Sequence, residues 1–405
     1  MLPLPVSDVL DELSAALKNA ARVLLIAPPG AGKSTWLPLQ LLAQMPSRGR
    51  ILLLEPRRLA ARNVARRLAE TLNEPVGKTV GYRMRGESRS GPETRLEVVT
   101  EGILTRMLQQ DPELTGVSLV ILDEFHERSL QADFALALLL DVQQSLRDDL
   151  KVLLMSATLD HQRLSALLPE APVIISEGRS YPVERRYISL SARLPFPDVV
   201  AREAAQLLKE HPGSMLIFLP GEREILAVKQ QLTARLSSDT DVFPLYGAMS
   251  LTDQQQAISP SLPGKRKVVL ATNIAETSLT IDGIRLVVDS GLERAVRYDN
   301  KSGLSLLQTQ RISQASMVQR AGRAGRLEPG ICWHLLSQEQ ADRAAAVSEA
   351  EILNSDLSAL MLDVLYGGCR ELSQLQWLDL PPASRQAAAL RQLQQLGAVD
   401  QRNQL

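Results

Sequence analysis

The sequence predicts an α/β protein with two consecutive domains, each a parallel β-sheet covered by helices on both faces. Short apolar runs alternate with longer helical stretches, and this alternation pauses once and then resumes. Unbroken apolar runs are typical of strands buried on both faces, and the helices between them form right-handed crossovers. The 405 residues exceed what one hydrophobic core normally serves, so two or three domains are expected.

Residues 1–178 form the predicted first domain. Its strand candidates are Val23–Ala27, Ile51–Leu54, Leu96–Thr100, Ser118–Leu122 and Val152–Met155. Its helix candidates are Lys33–Gln44, Arg58–Leu72 and Leu130–Leu146. The polar stretch 178–197 contains three prolines, and we therefore place an interdomain connection near it.

Residues 179–337 form the predicted second domain, and residues 338–405 a small helical tail. The strand candidates of the second domain are Ser214–Leu219, Val242–Leu245, Lys267–Ala271, Ile284–Asp289 and Ile331–Leu335. Its helix candidates are Val199–Glu210, Glu222–Leu236 and Thr252–Ile258, and those of the tail are Ser348–Leu365 and Ala383–Leu396. The tail is small for a core of its own and is expected to pack on the second domain. Its abrupt polar end, QRNQL, suggests an incomplete module.

Composition narrows the class of protein. Apolar residues make up 45% and charged residues 22%, the balance of an ordinary soluble protein. No apolar run approaches the roughly 20 residues of a membrane span, so no membrane partner is expected. The N-terminus lacks a basic region followed by an apolar stretch, and a cytoplasmic location is therefore predicted. Cys332 and Cys369 have no neighbours at metal-ligand spacing, which argues against a zinc site.

Positive charge is local rather than global. The net charge is −1, yet residues 55–67 carry five arginines and residues 319–326 read QRAGRAGR. Basic strips on a neutral body suit a protein that grips a phosphate backbone and releases it. A solvated helix face accounts for the same charges equally well.

Residues 27–34, APPGAGKS, have the pattern of a phosphate-binding loop. They follow an apolar strand and precede a predicted helix, the context that this loop requires. Gly30 and Gly32 let the backbone N–H groups face a phosphate, and the helix start adds its positive dipole end. Lys33 would reach the β- and γ-phosphates, and Ser34 would offer its hydroxyl to Mg²⁺. The nucleotide-binding candidates here are Ala27, Pro28, Pro29, Gly30, Ala31, Gly32, Lys33, Ser34 and Thr35.

An acidic pair follows the strand candidate Ser118–Leu122. Asp123 and Glu124 come about 90 residues after the phosphate loop and at the carboxyl end of a strand, where parallel sheets bind ligands. Asp123 is predicted to hold Mg²⁺, and Glu124 to orient and deprotonate an attacking water. His126 taken alone fits an ordinary surface histidine.

The run DEFH at 123–126 with SAT at 156–158 resembles the core of the DEAH-box helicases of superfamily two. Other stretches resemble further motifs of that family: EPRRLAA (55–61), TEGIL (100–104), LYGAMS (245–250), ATNIAETSLTIDG (271–283) and QRAGRAGR (319–326). Phe125 replaces the alanine usual in the family. The resemblance implies two tandem RecA-like domains and a winged-helix-like C-terminal region that leads into a truncated ratchet-like region.

The resemblance also implies roles for individual residues. His126, Ser156, Ala157 and Thr158 would couple the ATP state to domain movement, and Gln319 would help to place the attacking water. Arg323 and Arg326, three residues apart on one helix face, would stabilise the γ-phosphate from across a cleft. Ser278, Thr280 and Asp282 would touch the nucleotide and its metal shell. Arg67 would stack on the adenine, whereas Leu292 stands where relatives have an aromatic, so loose base selectivity is expected.

Nucleic-acid contacts are likewise implied by resemblance. Arg57, Arg58, Thr100, Thr272 and Asn273 are the candidates for contacting phosphate or sugar. Residues 293–310 resemble the β-hairpin that these helicases insert at a duplex junction, although an ordinary edge hairpin also fits. Aromatic residues are 3% of the chain, so binding should depend on backbone charge rather than on base stacking.

These features predict an ATP- and Mg²⁺-dependent helicase or translocase that acts on single-stranded RNA or on an RNA duplex with an overhang. A DNA helicase or translocase of the same superfamily is the first alternative, since 2′-hydroxyl contacts are what separate the two substrates. An ATP-gated scaffold that clamps RNA is the second, and Lys33, Asp123, Glu124, Arg323 and Arg326 argue against it. A metabolic kinase with a phosphate loop needs only one such domain.

Overall fold

Parallel strands joined by helices make up most of the molecule. The computed structural model describes residues 4–45, 49–157, 162–178, 181–189, 195–277, 281–299 and 302–405. The chain divides into two units. Unit 1 comprises Met1–Gly178, Val296–Leu306 and Glu349–Leu405, and unit 2 comprises Arg179–Ala295 and Leu307–Ser348.

Unit 1 is built on one twisted sheet. Its strands are β1 (Arg22–Ile26), β2 (Arg50–Leu54), β3 (Val80–Met84), β4 (Glu87–Arg89), β5 (Leu96–Val99), β6 (Val117–Leu122), β7 (Lys151–Ser156) and β8 (Val173–Ile175). Its helices up to Gly178 are α1 (Leu10–Asn19), α2 (Leu37–Ala43), α3 (Arg58–Thr71), α4 (Glu101–Gln110), α5 (Leu130–Ser145) and α6 (Gln162–Leu167). The order across the sheet is β4-β3-β5-β2-β6-β7-β1-β8, and among the described strands only the edge pair β3–β4 is antiparallel.

The two faces of this sheet bury separate hydrophobic cores. Leu24 and Leu52 face the core that contains α4 and α5, whereas Val23 and Leu53 face the core that contains α1, α2 and α3. Successive strand residues point to opposite faces, so a strand covered on both sides must be apolar at every position. The continuous apolar runs of the sequence are explained by this arrangement.

Unit 2 contains a second parallel sheet. The strands from here on are β9 (Val183–Tyr187), β10 (Ser214–Phe218), β11 (Thr240–Leu245), β12 (Arg266–Ala271), β13 (Ile284–Asp289), β14 (Leu292–Asp299), β15 (Leu304–Arg311) and β16 (Gly330–His334). The helices are α7 (Phe196–Glu210), α8 (Glu222–Thr233), α9 (Leu251–Ile258), α10 (Gln314–Gly322) and α11 (Gln338–Asp342). The sheet order is β11-β12-β10-β13-β16-β9. Strands β14 and β15 pair as a separate hairpin, and its residues Val296–Leu306 belong to unit 1. The α/β class with parallel sheets is thereby confirmed.

The predicted interdomain connection at 178–197 was drawn too long. Val183–Tyr187 forms β9, which pairs in parallel with β16 and makes one edge of the second sheet. Arg185 and Arg186 are exposed on this edge strand, and the polar composition hid it from a search for apolar runs. An edge strand has one unpaired side and tolerates charge, so polarity does not exclude a strand there.

The C-terminal tail is divided between the units, because residues 338–348, with α11, belong to unit 2 and Glu349–Leu405 belongs to unit 1. The prediction that the tail packs on the second domain is therefore wrong for Glu349–Leu405. Its helices are α12 (Ser358–Tyr366) and α13 (Ala383–Gln395), which share a core with Phe134 and Ala137 of α5. The Phe134 and Trp377 rings stack at a centroid distance of 5.9 Å. Helix α5 is apolar on more than one side, and a second covering layer is what such a helix requires. Among the described residues no helix combines the length and the apolarity needed to span a bilayer.

Candidate functional site

The carboxyl ends of neighbouring strands in unit 1 bring the predicted nucleotide residues together. The N–H of Ala27, which follows β1, donates to Ser156 O at the end of β7 at 3.0 Å. The N–H of Asp123, which follows β6, donates to Leu54 O at the end of β2 at 3.1 Å. This is the sheet edge at which parallel α/β domains bind ligands.

The phosphate loop depends on its two glycines. Gly30 and Gly32 have φ angles of +83° and +93°, a region that residues with a Cβ rarely adopt. A Cβ on Gly32 would also lie 2.8 Å from Leu4 Cδ1. The carbonyl of Gly32 accepts the N–H groups of Trp36 and Leu37, both at 3.1 Å, so this residue also closes the loop.

The helix after the loop begins later than the sequence predicted. Residues 33–36 form turns, and α2 starts at Leu37 rather than at Lys33. Pro38 lies in the first turn of α2, where its fixed φ favours a helix start. The positive end of the helix dipole, which was expected at Lys33, therefore lies at Leu37. The loop amides and the lysine remain as the candidate anion-binding groups.

Lys33 carries a buried positive charge. Its side chain is 4% exposed and its Nζ lies 4.0 Å from Glu124 Oε2. Among the described residues, Nζ has no hydrogen-bond acceptor. A buried ammonium without hydrogen bonds is costly, and phosphate oxygens of a bound nucleotide are the acceptors that this position fits.

Ser34, Asp123 and Glu55 make a compact group of oxygen donors. The Ser34 hydroxyl donates to Asp123 Oδ2, and Asp123 Oδ1 accepts the Glu124 N–H at 2.8 Å. Burial, together with the Glu124 charge, raises the pKa of Asp123. Burial, Asp123 and Glu124 also raise the pKa of Glu55, which is fully buried after β2. Hydroxyl and carboxylate oxygens crowded in this way fit Mg²⁺, which would offset their repulsion.

Glu124 opens a strained turn. Glu124 and Arg128 have φ angles of +50° and +51°, and the residues between them, Phe125–Glu127, form one 3₁₀ turn. Phe125 is 1% exposed and anchors the turn in the core shared with α5. Non-glycine residues at positive φ cost free energy, so surrounding contacts must hold this turn.

The predicted coupling residues meet at this turn. His126 Nδ1 accepts the Ala157 N–H at 3.2 Å, so Nδ1 carries no proton to share with Glu124 Oε2 at 3.6 Å. Ser156 contacts the phosphate loop through its carbonyl, as described above. Thr158 lies outside the described residues. The structure thus joins 156–157 to both the loop and the acidic turn.

The nucleic-acid candidates of unit 1 lie on the segments after β2 and β5. Arg57 Nη2 donates to both carboxylate oxygens of Glu127 at 3.2 Å, and both side chains are about one-fifth exposed. Arg58 is exposed and begins α3, and Thr100 immediately precedes α4. Arg67, which was predicted to stack on the adenine and not to contact nucleic acid, is 63% exposed on α3, and its Nη1 lies 4.0 Å from Glu70 Oε2. These placements leave the roles of the four residues as predictions.

In unit 2, Arg323 and Arg326 do not lie on one α-helical face. Helix α10 ends at Gly322, and Arg323–Gly325 forms a 3₁₀ turn. The Arg323 Nε donates to Glu276 O at 2.8 Å, and its Nη2 donates to Thr277 O. These bonds tie the end of α10 to the segment after β12. The backbone changes from α-helical to 3₁₀ geometry at the same place. Gln319 is buried on α10.

The remaining candidates of unit 2 flank the same segment. Thr272 precedes the 3₁₀ turn Asn273–Ala275, and Asn273 and Asp282 are exposed. Ser278 and Thr280 lie outside the described residues.

Arg320 is a buried residue that the sequence reasoning missed. It is 1% exposed and makes ion pairs with Glu276 Oε2 at 2.8 Å and Asp289 Oδ1 at 2.9 Å. Asp289 also pairs with His334 Nδ1 at 3.0 Å. Burial opposes ionisation of Asp289, but Arg320 and His334 outweigh it and hold the pKa of Asp289 below its ordinary value. The sequence signal that could have revealed this pairing is Asp289, because an aspartate at the end of an apolar strand requires a buried partner of opposite charge.

Models of two families match the chain. The model described as DEAD/DEAH box helicase matches residues 10–167, and the model described as helicase conserved C-terminal domain matches residues 199–328. The chain belongs to the DEAD/DEAH box helicases. Within the chain, the first match covers the phosphate loop and the acidic turn, and the second covers the segment after β12 and helix α10.

Known helicases resemble this one over nearly its whole length. The ATP-dependent RNA helicase HrpB of Escherichia coli (strain K12) is 66% identical over 99% of this chain and 49% of its own. The probable ATP-dependent RNA helicase DHR2 of Saccharomyces cerevisiae is 34% identical over 99% of this chain and 56% of its own. A crystal structure of Escherichia coli DEAH/RHA helicase HrpB matches with a TM-score of 0.95 and 65% identity, over 99% of this chain and 51% of that one. The chain therefore spans about half the length of these relatives.

Proposed function

We propose that this helicase hydrolyses ATP with Mg²⁺ and uses the hydrolysis to move along RNA. The cluster of Lys33, Ser34, Asp123 and Glu124 at one sheet edge carries this proposal, because a buried cation, a metal-type donor set and a positioned carboxylate lie within a few ångströms. RNA rather than DNA is favoured because the similar proteins are named ATP-dependent RNA helicases.

In this proposal, residues 27–35 hold the triphosphate, with Lys33 on its β- and γ-phosphates. Ser34 and Asp123 hold Mg²⁺, which neutralises charge on the phosphates when bound. Glu124 accepts a proton from the attacking water. Three residues of unit 2 act on the transferring phosphoryl group: Gln319 places the water, and Arg323 and Arg326 stabilise the developing charge. Arg67, Ser278, Thr280 and Asp282 contact the remainder of the nucleotide and its metal shell.

The strand contacts proposed for RNA are Arg57, Arg58, Thr100, Thr272 and Asn273. Arginine and threonine side chains suit phosphate and sugar oxygens, which carry no sequence information. Binding should therefore be independent of sequence and should weaken as salt rises. His126 and the segment 156–158 would pass the state of the nucleotide to the rest of the molecule.

The deciding experiment is ATP turnover with and without single-stranded RNA, repeated with DNA of equal length. We expect stimulation by RNA and less by DNA, since 2′-hydroxyl groups distinguish the two strands. Equal stimulation by both would favour the DNA or general translocase alternative. Turnover that neither strand changes would contradict the proposal of a nucleic-acid motor.

A set of variants tests the assigned roles. Lys33→Ala and Glu124→Gln should each abolish turnover, and Glu124→Gln should still bind ATP because its amide leaves the phosphate loop intact. Arg326→Ala should slow hydrolysis by about 10³-fold or more while weakening nucleotide binding little. Turnover and nucleotide binding are measured on the same preparations. Wild-type hydrolysis by Glu124→Gln would refute Glu124 as the base.

A further inference from the structure

The C-terminal tail contacts the segment that immediately follows the proposed catalytic base. Arg128 ends the strained turn that Glu124 begins, and its guanidinium group binds acidic partners. Its Nε and Nη2 each donate to a carboxylate oxygen of Asp133 at 2.9 Å. Its Nη2 also donates to Asp379 Oδ2 of the tail at 2.7 Å. A side chain about 250 residues away in sequence therefore completes the bonds of Arg128.

The tail also holds the backbone on both sides of Ser129. The N–H of Glu351 donates to Arg128 O at 3.0 Å, and the Glu351 Oε2 accepts the N–H of Leu130 at 2.8 Å. Ser129 caps α5 by accepting the Ala132 N–H at 3.0 Å. The junction between the turn and α5 is thus bonded to Glu351 at two backbone positions and to Asp379 through a side chain.

The side-chain bonds of Arg128 are largely buried, whereas Glu351 is exposed. Arg128 is 14% exposed, Asp379 is 9% and Asp133 is 1%. Burial opposes the charged form of Arg128, but its bonds with Asp133 and Asp379 outweigh that cost and raise the pKa of Arg128. Charge-assisted hydrogen bonds in a water-poor setting are among the stronger polar interactions of proteins. The tail core against Phe134 brings these partners into place.

We propose that Asp379 and Glu351 are positioning residues, which hold the turn 124–128 in its strained form and thereby orient Glu124 toward the attacking water. Two positive φ angles would relax without restraint. Phe125 and His126 fix the start of the turn, and the tail fixes its end. The inference rests on the proposed ATP hydrolysis and adds that the tail sets its rate.

The test compares variants with single substitutions in the tail, each made in the 405-residue chain. Asp379→Asn and Glu351→Ala should each lower kcat for ATP by about tenfold or more, since displacement of a catalytic group by about 1 Å costs up to 100-fold. The KM for ATP should stay within about twofold, because the phosphate loop is bonded separately. Asp379→Glu should recover part of the loss. This split between kcat and KM separates positioning from general destabilisation.

Asp363→Asn is the matched control. Asp363 is also a tail aspartate bonded to the body of unit 1, where its Oδ1 accepts from Gln109 Nε2 of α4 at 3.1 Å. It lies outside the turn, so kcat should remain at the wild-type value. Equal losses in Asp363→Asn and Asp379→Asn would overturn the inference, because loss of any tail contact would then suffice.

Hydrogen exchange provides a measurement that does not depend on activity. A peptide spanning residues 122–131 should exchange faster in Asp379→Asn and Glu351→Ala than in the wild type or in Asp363→Asn. If the wild type hydrolyses ATP but Asp379→Asn and Glu351→Ala change neither the exchange nor kcat, the positioning role of the tail is wrong. The proposed ATP hydrolysis would be unaffected by that result. A wild-type chain that fails to hydrolyse ATP would overturn the proposed function, and the rate effect would fall with it.

Discussion

Buried carboxyl groups dominate the residue-scale chemistry of unit 1. Glu55, Asp123 and Glu124 lie beside one another, and burial is the main cause that raises the pKa of Glu55 and Asp123. The Lys33 ammonium lies 4.0 Å from Glu124 Oε2. An arrangement short of positive charge fits a site that receives Mg²⁺ with its nucleotide.

Glu101 allows a test of burial at the residue scale. Burial raises the pKa of Glu101 from 4.5 to about 7, against the lowering effect of a hydrogen bond from Ser129. Between these two values the folded state binds more protons than the unfolded state. The free energy of unfolding should therefore decrease as pH rises from about 4.5 to about 7.

We predict that Glu101→Gln flattens this pH dependence and stabilises the protein at pH values above that window. The glutamine oxygen can still accept from the Ser129 hydroxyl, so the cap of α5 is retained. Urea denaturation at both ends of the window measures the change. Glu93→Gln, which removes an exposed carboxylate, serves as the control, and an identical slope in Glu101→Gln and the wild type would contradict the prediction.

At the scale of elements, Arg320 joins α10 to two strands and a turn of unit 2. It pairs with Glu276 after β12 and with Asp289 at the end of β13, and its guanidinium lies 4.8 Å from the centroid of the Phe218 ring on β10. His334 on β16 extends the network. Because Arg185 Nε donates to His334 Nε2 at 3.1 Å, the proton of His334 lies on Nδ1 and is donated to Asp289.

Removing one charge from this network should destabilise unit 2. Asp289→Asn leaves the fully buried Arg320 with half of its neutralising partners, and we expect a loss of about 3–5 kcal/mol in the free energy of unfolding. Chemical denaturation measures it. Glu184→Gln removes an exposed partner of Arg186 on β9 and should leave the denaturation midpoint nearly unchanged. Equal, small effects of both variants would show that the buried network adds little.

At the scale of the whole molecule, the larger part of the tail, Glu349–Leu405, belongs to unit 1. Its core includes Leu360 and Leu393 together with Phe134 of α5. The same helix contributes Leu136 and Leu139 to the core under the sheet. Helix α5 therefore connects the tail to the strands that end at Leu122 and Ser156.

Leu360→Ala tests this shared core. Leu360 is fully buried, and its truncation should cost about 2–5 kcal/mol of stability in unit 1. Hydrogen exchange should then increase in α5 as well as in α12, because both helices line the same cavity. Leu380→Ala, at a half-exposed tail position, is the control. Faster exchange confined to α12 would contradict a common core.

Several elements followed from the sequence because their causes are local. The apolar strands β1, β2, β6 and β7, the glycines of the phosphate loop and the acidic pair after β6 are all set by side chains within a few residues. The hairpin β14–β15 was likewise predicted from a turn signal between extended stretches. Edge strands such as β9 escaped prediction because solvent on one side lets them carry polar residues.

By itself, the sequence determined the α/β class and the family, because motif order and strand periodicity are properties of the chain alone. It also predicted which residues lie at the carboxyl edge of the first sheet, where we propose that the nucleotide binds. Only the tertiary structure decided that the tail packs on α5, that Arg320 is buried between Glu276 and Asp289, and that Asp379 bonds Arg128. These pairings join residues far apart in the chain, and which of many polar residues meet depends on how whole elements pack. Burial and the choice of partner depend on the packing of the whole fold, so the spacing of residues along the sequence does not predict them.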